Sequence, residues 1–216
     1  MFYIIFALET LAFLTGLILF RKIKPVIYRV IVFILLITVV NEGMVVFGVY
    51  QNWGVSKHLF YNIFFIIQLI AFLFIFYFSY EERRAKLLTG LIGVAGIVAS
   101  SLMLERYGTM GFNPYLVNSV AGTIILLACT YLYFQQAKEK VYHPKQDPLF
   151  WFSSGLIVAN FFLLLFISAT FLKSFTAEAT STKIVIMLTG IGNLLYYSFI
   201  IISMLCSSRS PKLVGT

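Results

Sequence analysis

Charged residues are scarce in this chain of 216 residues. Lys, Arg, Asp and Glu together make up only 11% of the sequence, whereas a soluble domain has about 25%. Hydrophobic residues make up 61%, and the mean hydropathy is +0.96. The composition excludes an ordinary soluble domain and predicts an all-α membrane protein, with the lipid bilayer as its first partner.

Cysteine, histidine and aspartate are almost absent, which removes most catalytic and metal-binding arrangements. Cys129 and Cys206 fall in or at the end of apolar segments without a CxxC spacing, so they are expected to be packing residues. His58 and His143 are predicted in loops on opposite sides of the membrane, which excludes a zinc site or a Ser–His pair. Asp147 is the one aspartate, so an aspartyl protease pair cannot form. The last apolar segment lacks a Schiff-base lysine, and the chain has no phosphate-binding glycine loop. We therefore expect no enzyme, no cofactor and no metal.

Apolar segments of about 20 residues, the length that crosses a bilayer, recur along the whole chain. They predict a seven-transmembrane-helix bundle that forms one domain over residues 1–206, followed by a short cytoplasmic tail at 207–216. The first segment has no basic region before it and carries Glu9, so it is expected to be a retained helix and not a cleaved signal. The fourth is expected to be the shortest helix. The segments are Phe2–Phe20, Val26–Gly48, Leu59–Ser79, Leu87–Leu104, Tyr115–Phe134, Leu149–Leu172 and Ile184–Cys206.

The basic residues predict the orientation of the bundle. Twelve of the 16 lie after the first, third and fifth segments or in the tail, and four lie on the opposite side. The positive-inside rule therefore predicts an N-terminus outside and a C-terminus inside. Because the same rule explains the net charge of +8, we expect no nucleic acid partner. The four residues predicted outside are Lys57, Arg106, Lys173 and Lys183.

Two glutamates are predicted inside the outer half of the membrane. At about 1.5 Å per residue, Glu9 lies about 12 Å deep and Glu42 about 9 Å deep. A carboxylate at that depth costs a few kcal/mol, and no intramembrane Lys or Arg is present to neutralise it. Each must be protonated, hydrogen-bonded, hydrated or bound to a cation or amine ligand. Polar residues of other segments lie at similar depth, whereas the inner half is mostly aliphatic and aromatic.

These residues predict a ligand-binding cavity that opens to the outside. Thr38, Asn41 and Glu42 have the spacing i, i+3, i+4 and are expected to share one face of the second segment. A single intramembrane polar residue more often forms a hydrogen bond between helices than a site, but two isolated carboxylates favour function. The predicted ligand-binding residues are Glu9, Asn41, Glu42, Asn62, Gln68, Asn160, Asn193 and Tyr196.

Small residues form a stripe on the fourth segment, at Thr89, Gly93, Gly96 and Ser100. Such stripes let helix backbones approach closely. Packing within the chain is the main expectation, and a homodimer through this segment is the alternative.

Short strings in order along the chain resemble a group of uncharacterised bacterial seven-helix inner-membrane proteins. Members of that group occur alone or ahead of sensor-kinase modules, so the resemblance implies an inner-membrane location and a sensory role. The chain carries no kinase of its own, and a separate signalling partner on the cytoplasmic side is therefore expected. The strings are Asn41-Glu42, Tyr61-Asn62-Ile63-Phe64, Phe112-Asn113-Pro114-Tyr115, Pro148-Leu149-Phe150-Trp151 and Asn193-Leu194-Leu195-Tyr196.

Two functions from different classes fit these observations, and a purely structural scaffold is a third. One is a receptor-like sensor or accessory subunit that binds a small ligand or cation in the outward-facing pocket. The other is a small-solute or proton/cation-coupled transporter built from 3+1+3 helix repeats. Pro25 and Asn41 in the second segment have counterparts in Pro148 and Asn160 of the sixth, and Asn62 in the third segment has a counterpart in Asn193 of the seventh. These pairs are a weak sign of a repeat. The inner half offers almost no polar path for a solute, which favours the sensor.

Overall fold

The secondary structure of the described residues is entirely helical. The computed structural model describes residues 2–23, 26–54, 56–108, 110–137, 144–173 and 179–209. Six of its helices are long and apolar enough to cross a membrane. The first helix of the chain is also apolar, but its apolar part, Tyr3–Leu19, is shorter. These helices confirm the prediction of an all-α, multi-pass membrane protein. Pro25, His143 and residues 210–216 lie outside the described residues.

Within the described residues, eight α-helices and one short 3-10 turn follow one another. They are α1 (Phe2–Leu19), α2 (Val26–Val46), α3 (Val49–Asn52), α4 (Lys57–Ser79), α5 (Arg83–Tyr107), α6 (Pro114–Gln136), the 3-10 turn Pro144–Gln146, α7 (Pro148–Lys173) and α8 (Ala179–Arg209).

Local sequence sets several of the helix ends. Gly48 has φ of 68°, a left-handed conformation that interrupts the second apolar segment and separates α2 from α3. The Ser56 hydroxyl accepts a hydrogen bond from the backbone N–H of His58 and caps α4. The Asn113 side chain accepts one from Leu116 N at 3.0 Å, just before Pro114 begins α6.

The expectation that the fourth segment forms the shortest helix is wrong. That segment is α5, which has 25 residues, against 18 in α1 and 21 in α2. The helix continues through charged residues at both ends, at Arg83 and Arg84 and at Glu105 and Arg106. Hydropathy alone cannot show such extensions, because they lie beyond the apolar run.

Six helices form a closed ring, and the chain follows it in order. Each of α1, α2, α4, α6, α7 and α8 packs against the next, and α8 returns to pack against α1. The helix α5 lies outside the ring, against α4 and α6. The four-residue helix α3 packs against α2. The interior of the ring is therefore built from two groups of three helices, with α5 connecting them.

The small-residue stripe of α5 holds this helix against the ring. Thr89 and Ser100 are completely buried, and the Ser100 hydroxyl donates to Ser119 Oγ of α6 at 3.1 Å. A Cβ atom at Gly93 or Gly96 would collide with side chains of α4 and α6, respectively. The stripe is therefore used within the chain. The opposite face of α5 is exposed, and its apolar residues are Leu87, Leu91, Val94, Val98 and Leu102.

Aromatic side chains fill the ring near the end that carries Arg83 and Arg84. Phe72 and Phe76 of α4 contact Phe152 of α7, with ring centroids 5.5 Å and 6.2 Å apart. All three rings are buried, and they continue into a pair between Phe76 and Tyr131 of α6. We call Phe72, Phe76, Tyr131 and Phe152 the aromatic plug. It packs α4, α6 and α7 together on the side that is rich in arginine.

Candidate functional site

A cavity of about 250 Å³ lies inside the ring, and all six ring helices contribute to its wall. No residue of α5 or α3 is part of the described lining. Gln68, the deepest polar residue that α4 contributes, is one turn before Phe72 of the aromatic plug. The cavity therefore lies between the plug and the end of the bundle where α2, α5 and α7 finish. Among the described residues, the polar lining is formed by Glu9, Thr38, Glu42, Tyr61, Gln68, Asn160, Thr189, Asn193, Tyr196 and Tyr197.

Six of the eight residues predicted from the sequence meet in this cavity. Both glutamates are among them, on adjacent helices α1 and α2. The six are Glu9, Glu42, Gln68, Asn160, Asn193 and Tyr196.

Glu9 is almost fully buried, with 4% of its surface exposed. Its Oε1 accepts a hydrogen bond of 2.7 Å from the Tyr197 hydroxyl of α8. Its Oε2 is also buried and has no hydrogen-bond partner among the described residues. A buried acceptor without a donor costs about 1–3 kcal/mol, and more when it is charged. Glu9, which lines the cavity, therefore has one oxygen without a partner among the described residues.

Glu42 has a similar arrangement on the neighbouring helix. Its Oε1 accepts a hydrogen bond of 2.9 Å from the Tyr61 hydroxyl of α4. A tyrosine from the next helix thus holds each carboxylate, Tyr197 for Glu9 and Tyr61 for Glu42. The two bonds hold one carboxylate on each of the adjacent helices α1 and α2.

The amides contribute mainly acceptor oxygens to the cavity. The Asn160 Nδ2 donates to the Leu156 carbonyl at 2.8 Å, and the Asn193 Nδ2 donates to the Thr189 carbonyl at 3.1 Å. With each nitrogen turned toward its own helix, the carbonyl oxygen is the atom that each amide can present to a ligand. No Lys, Arg or His is among the described lining residues.

Asn41, which was expected on the same face as Glu42, is not among the described residues that line the cavity. At 3.6 residues per turn, Asn41 lies about 100° away from Glu42 around α2, while Thr38 and Glu42 do line the cavity. Asn41 Oδ1 instead accepts a hydrogen bond of 2.7 Å from Tyr50 of α3. Burial and, next, the negative charge of Glu42 raise the pKa of the Tyr50 phenol, so the hydroxyl stays protonated as the donor. Asn41 therefore anchors α3 to the bundle.

Asn62 does not line the cavity either, because it faces the loop between α5 and α6. Its Nδ2 donates to the Gly111 carbonyl at 3.1 Å. The Ser56 hydroxyl donates to the neighbouring Met110 carbonyl at 2.7 Å. Asn62 thus joins the loops at this end of the bundle, and the adjacent Tyr61 takes the position in the cavity that was expected for Asn62.

Sequence reasoning omitted Tyr61 and Tyr197 from the ligand-binding set. A signal for each exists in the spacing: Tyr61 precedes Gln68 by seven residues, and Tyr197 follows Asn193 by four. Both spacings place the residues on one helix face.

The cysteines behave only in part as expected. Neither Cys129 nor Cys206 forms a disulfide among the described residues, and Cys129 is exposed, so it is not the packing residue that was expected. Within the described ranges there is no group of three or more His, Cys, Asp or Glu side chains that could hold a metal ion. Comparisons of the chain with protein-family models, with curated proteins and with solved structures found no match.

Proposed function

We propose that this chain is a receptor-like membrane sensor or accessory subunit, which binds a small ligand or cation in the cavity beside Glu9 and Glu42. The observation that carries this proposal is the buried Glu9 Oε2, which has no donor among the described residues. A bound ligand that supplies the donor would stabilise the ring at the contact between α1 and α8. Ligand binding would thereby change how tightly these two helices pack against each other.

The size and lining of the cavity support binding of a small molecule without chemical conversion. Sites for drug-sized ligands have volumes of about 300–1,000 Å³, and this cavity has about 250 Å³. Its described lining includes no Ser, Cys, Lys or His that would act as nucleophile or base beside the carboxylates. The proposed role is therefore recognition, and the protein is proposed not to be an enzyme.

We propose a seven-span topology, with α1 as the seventh span and the N-terminus outside. The support is the positive-inside count together with the place of α1 in the ring between α2 and α8. In this orientation the cavity faces the outside and the arginine-rich end faces the cytoplasm. The resemblance to sensor-associated proteins supports a bacterial inner-membrane location and a separate signalling partner at the cytoplasmic end. If a homodimer forms through α5, it uses the exposed face that includes Leu91 and Val98, because the small-residue stripe is already buried.

The order of helices around the ring favours one alternative, a transporter with 3+1+3 repeats. The last helix of each group, α4 or α8, packs against the first helix of the other group, α6 or α1. The helix α5 connects the two groups, as expected for such a repeat. The paired asparagines do not match this repeat, because Asn160 and Asn193 line the cavity whereas Asn41 and Asn62 do not. The buried rings of the aromatic plug also lie between the cavity and the opposite end, where a transporter needs a polar path. We therefore favour the sensor.

A thermal-shift screen of the purified full-length protein tests the proposal. Wild type, Glu42→Gln and the control Glu105→Gln are compared over a library of small polar molecules and salts. Glu105 is exposed on α5, away from the cavity, so its substitution makes the same change of charge elsewhere. A ligand at a hundredfold excess over its Kd stabilises the native state by about 2.7 kcal/mol.

The proposal expects compounds that raise the melting temperature of wild type and of Glu105→Gln by several degrees but leave Glu42→Gln unchanged. If every active compound raises all three melting temperatures equally, the site lies elsewhere and the proposal is wrong. If no compound acts but Glu42→Gln abolishes a pH dependence of stability seen in wild type, the transporter becomes the better account.

A further inference from the structure

The two opposite walls of the cavity differ in chemistry. The helices α1 and α2 carry the carboxylates, and α6 and α7 lie across the ring from them. The α6–α7 wall is aliphatic apart from Asn160, and we call it the apolar wall. It consists of Val117, Val120, Ala121, Ile124, Leu156, Ala159 and Leu163. A ligand that fills the cavity must therefore meet carboxyl groups on one side and hydrocarbon on the other.

When its two glutamates are ionised, the carboxylate wall needs a donor that carries positive charge. Tyr197 and Tyr61 each supply one hydrogen bond to a carboxylate, and Glu9 Oε2 remains without a donor among the described residues. The described lining offers no cationic side chain. An ammonium group supplies both the N–H donor that Glu9 Oε2 lacks and the positive charge that the described lining lacks. The rings of Tyr61 and Tyr196 also line the cavity, and aromatic faces attract cations.

Other cations fit less well. A divalent metal ion would have only two carboxylates, because the described residues contain no cluster of three metal-ligating side chains. An inorganic monovalent ion would leave the apolar wall, with residues such as Val120 and Leu163, unused. A quaternary ammonium has no N–H group to satisfy Glu9 Oε2.

We infer that the ligand is a small primary or secondary alkylammonium, with its nitrogen between Glu9 and Glu42 and its short hydrocarbon body against the apolar wall. This inference rests on the proposed function and specifies the chemical class of its ligand. The alkyl group is short because the cavity is smaller than the usual site for a drug-sized molecule. Such amines are protonated at neutral pH, as lysine is.

Isothermal titration of the full-length protein in a neutral detergent tests the inference with a defined panel. The probes are methyl-, ethyl-, propyl- and butylammonium, 1-butanol, tetramethylammonium, sodium and potassium. Each methylene that packs against the apolar wall is expected to tighten Kd about fourfold. The alcohol, the quaternary ion and the metal ions are expected to bind at least tenfold more weakly than butylammonium.

Three variants assign the binding energy to the two walls. Glu9→Gln is expected to weaken butylammonium binding at least tenfold, whereas Glu105→Gln leaves Kd unchanged. Val120→Thr keeps the shape of the side chain but places a hydroxyl in the apolar wall. It is expected to reduce the gain per methylene while methylammonium binds as before. If Glu9→Gln does not fold, Val120→Thr still tests the inference.

The outcomes separate this inference from the proposed function. Chain-length-dependent binding that requires Glu9 supports the inference. If the amines do not bind but library compounds still stabilise the protein in a Glu42-dependent way, the inference is overturned and the proposed function stands. If sodium or potassium binds as tightly as butylammonium, the inference is also overturned, because the apolar wall then contributes nothing. If neither the panel nor the library acts through the glutamates, both proposals are wrong.

Discussion

The hydroxyl of Tyr197, in the last helix, donates a 2.7 Å hydrogen bond to Oε1 of Glu9 in the first helix. Both residues are buried, and they are 188 positions apart in the chain. The bond joins α8 to α1, the contact that closes the ring around the cavity. The same pair therefore contributes to the fold and to the candidate site.

Tyr197→Phe is expected to lower the free energy of unfolding by about 1–3 kcal/mol, because both oxygens of Glu9 then lack a donor in the described structure. Thermal unfolding in detergent measures the change. Tyr133→Phe is the matched control, since the Tyr133 side chain is 69% exposed and its hydroxyl is expected to contribute little. Equal melting temperatures for the two variants would show that the Glu9 bond does not stabilise the ring.

The position of α5 outside the ring depends on the close approach at Gly96. Gly96→Ala is expected to destabilise the protein by about 1–3 kcal/mol, because the new Cβ would collide with Thr123 of α6. Gly122→Ala is the control, since no atom lies within 4 Å of a Cβ at that glycine. It is expected to be neutral or slightly stabilising, as alanine favours a helix. The account of α5 packing fails if Gly96→Ala is as stable as Gly122→Ala.

Asn41 and Glu42 are neighbours in sequence but are expected to have separable effects. Asn41→Ala removes the acceptor of the Tyr50 hydroxyl, so the melting temperature falls while the ligand-induced shift remains. Glu42→Gln is expected to abolish the ligand-induced shift. Tyr50→Phe breaks the same bond from the other side and should reproduce Asn41→Ala. If Asn41→Ala loses the ligand-induced shift, Asn41 takes part in ligand binding and this prediction is wrong.

Depth along a helix can be predicted from the sequence better than direction around it. Counting residues from the helix ends placed Glu9 and Glu42 at similar depth, and the structure puts both in one cavity. The same counting also assigned Asn41 and Asn62 to that cavity, but each is about 100° from the neighbouring residue that lines it. Only the packing of other helices decides which of two adjacent residues faces inward.

The position of α5 could not be predicted from hydropathy. An apolar helix is compatible with the membrane whether it lies inside or outside the ring. The glycines of α5 indicate close packing but do not identify the helix that they pack against. The structure supplies the partners, Leu73 of α4 and Thr123 of α6. The stripe itself predicted the contact within the chain correctly.

The proposed orientation predicts which loops face the outside. Gln51 and Glu82 are exposed and lie at opposite ends of the bundle. The variants Gln51→Cys and Glu82→Cys are made in a protein whose native cysteines have been replaced by alanine. A membrane-impermeant maleimide added to intact cells is expected to label Gln51→Cys at once. Glu82→Cys is expected to react only after the membrane is permeabilised. The reverse pattern would invert the topology and turn the cavity toward the cytoplasm.

The most direct test of the central claim is the alkylation rate of a cysteine placed in the cavity. Thr38→Cys puts a thiol on the cavity wall one turn before Glu42, and Gln51→Cys serves as the control outside it. Both are made in the protein without native cysteines, and N-ethylmaleimide is added with and without the compounds that raise the melting temperature. The account predicts that these compounds slow alkylation at Thr38→Cys and leave Gln51→Cys unaffected. Compounds that stabilise the protein but leave the rate at Thr38→Cys unchanged would show that they bind elsewhere and would contradict the account.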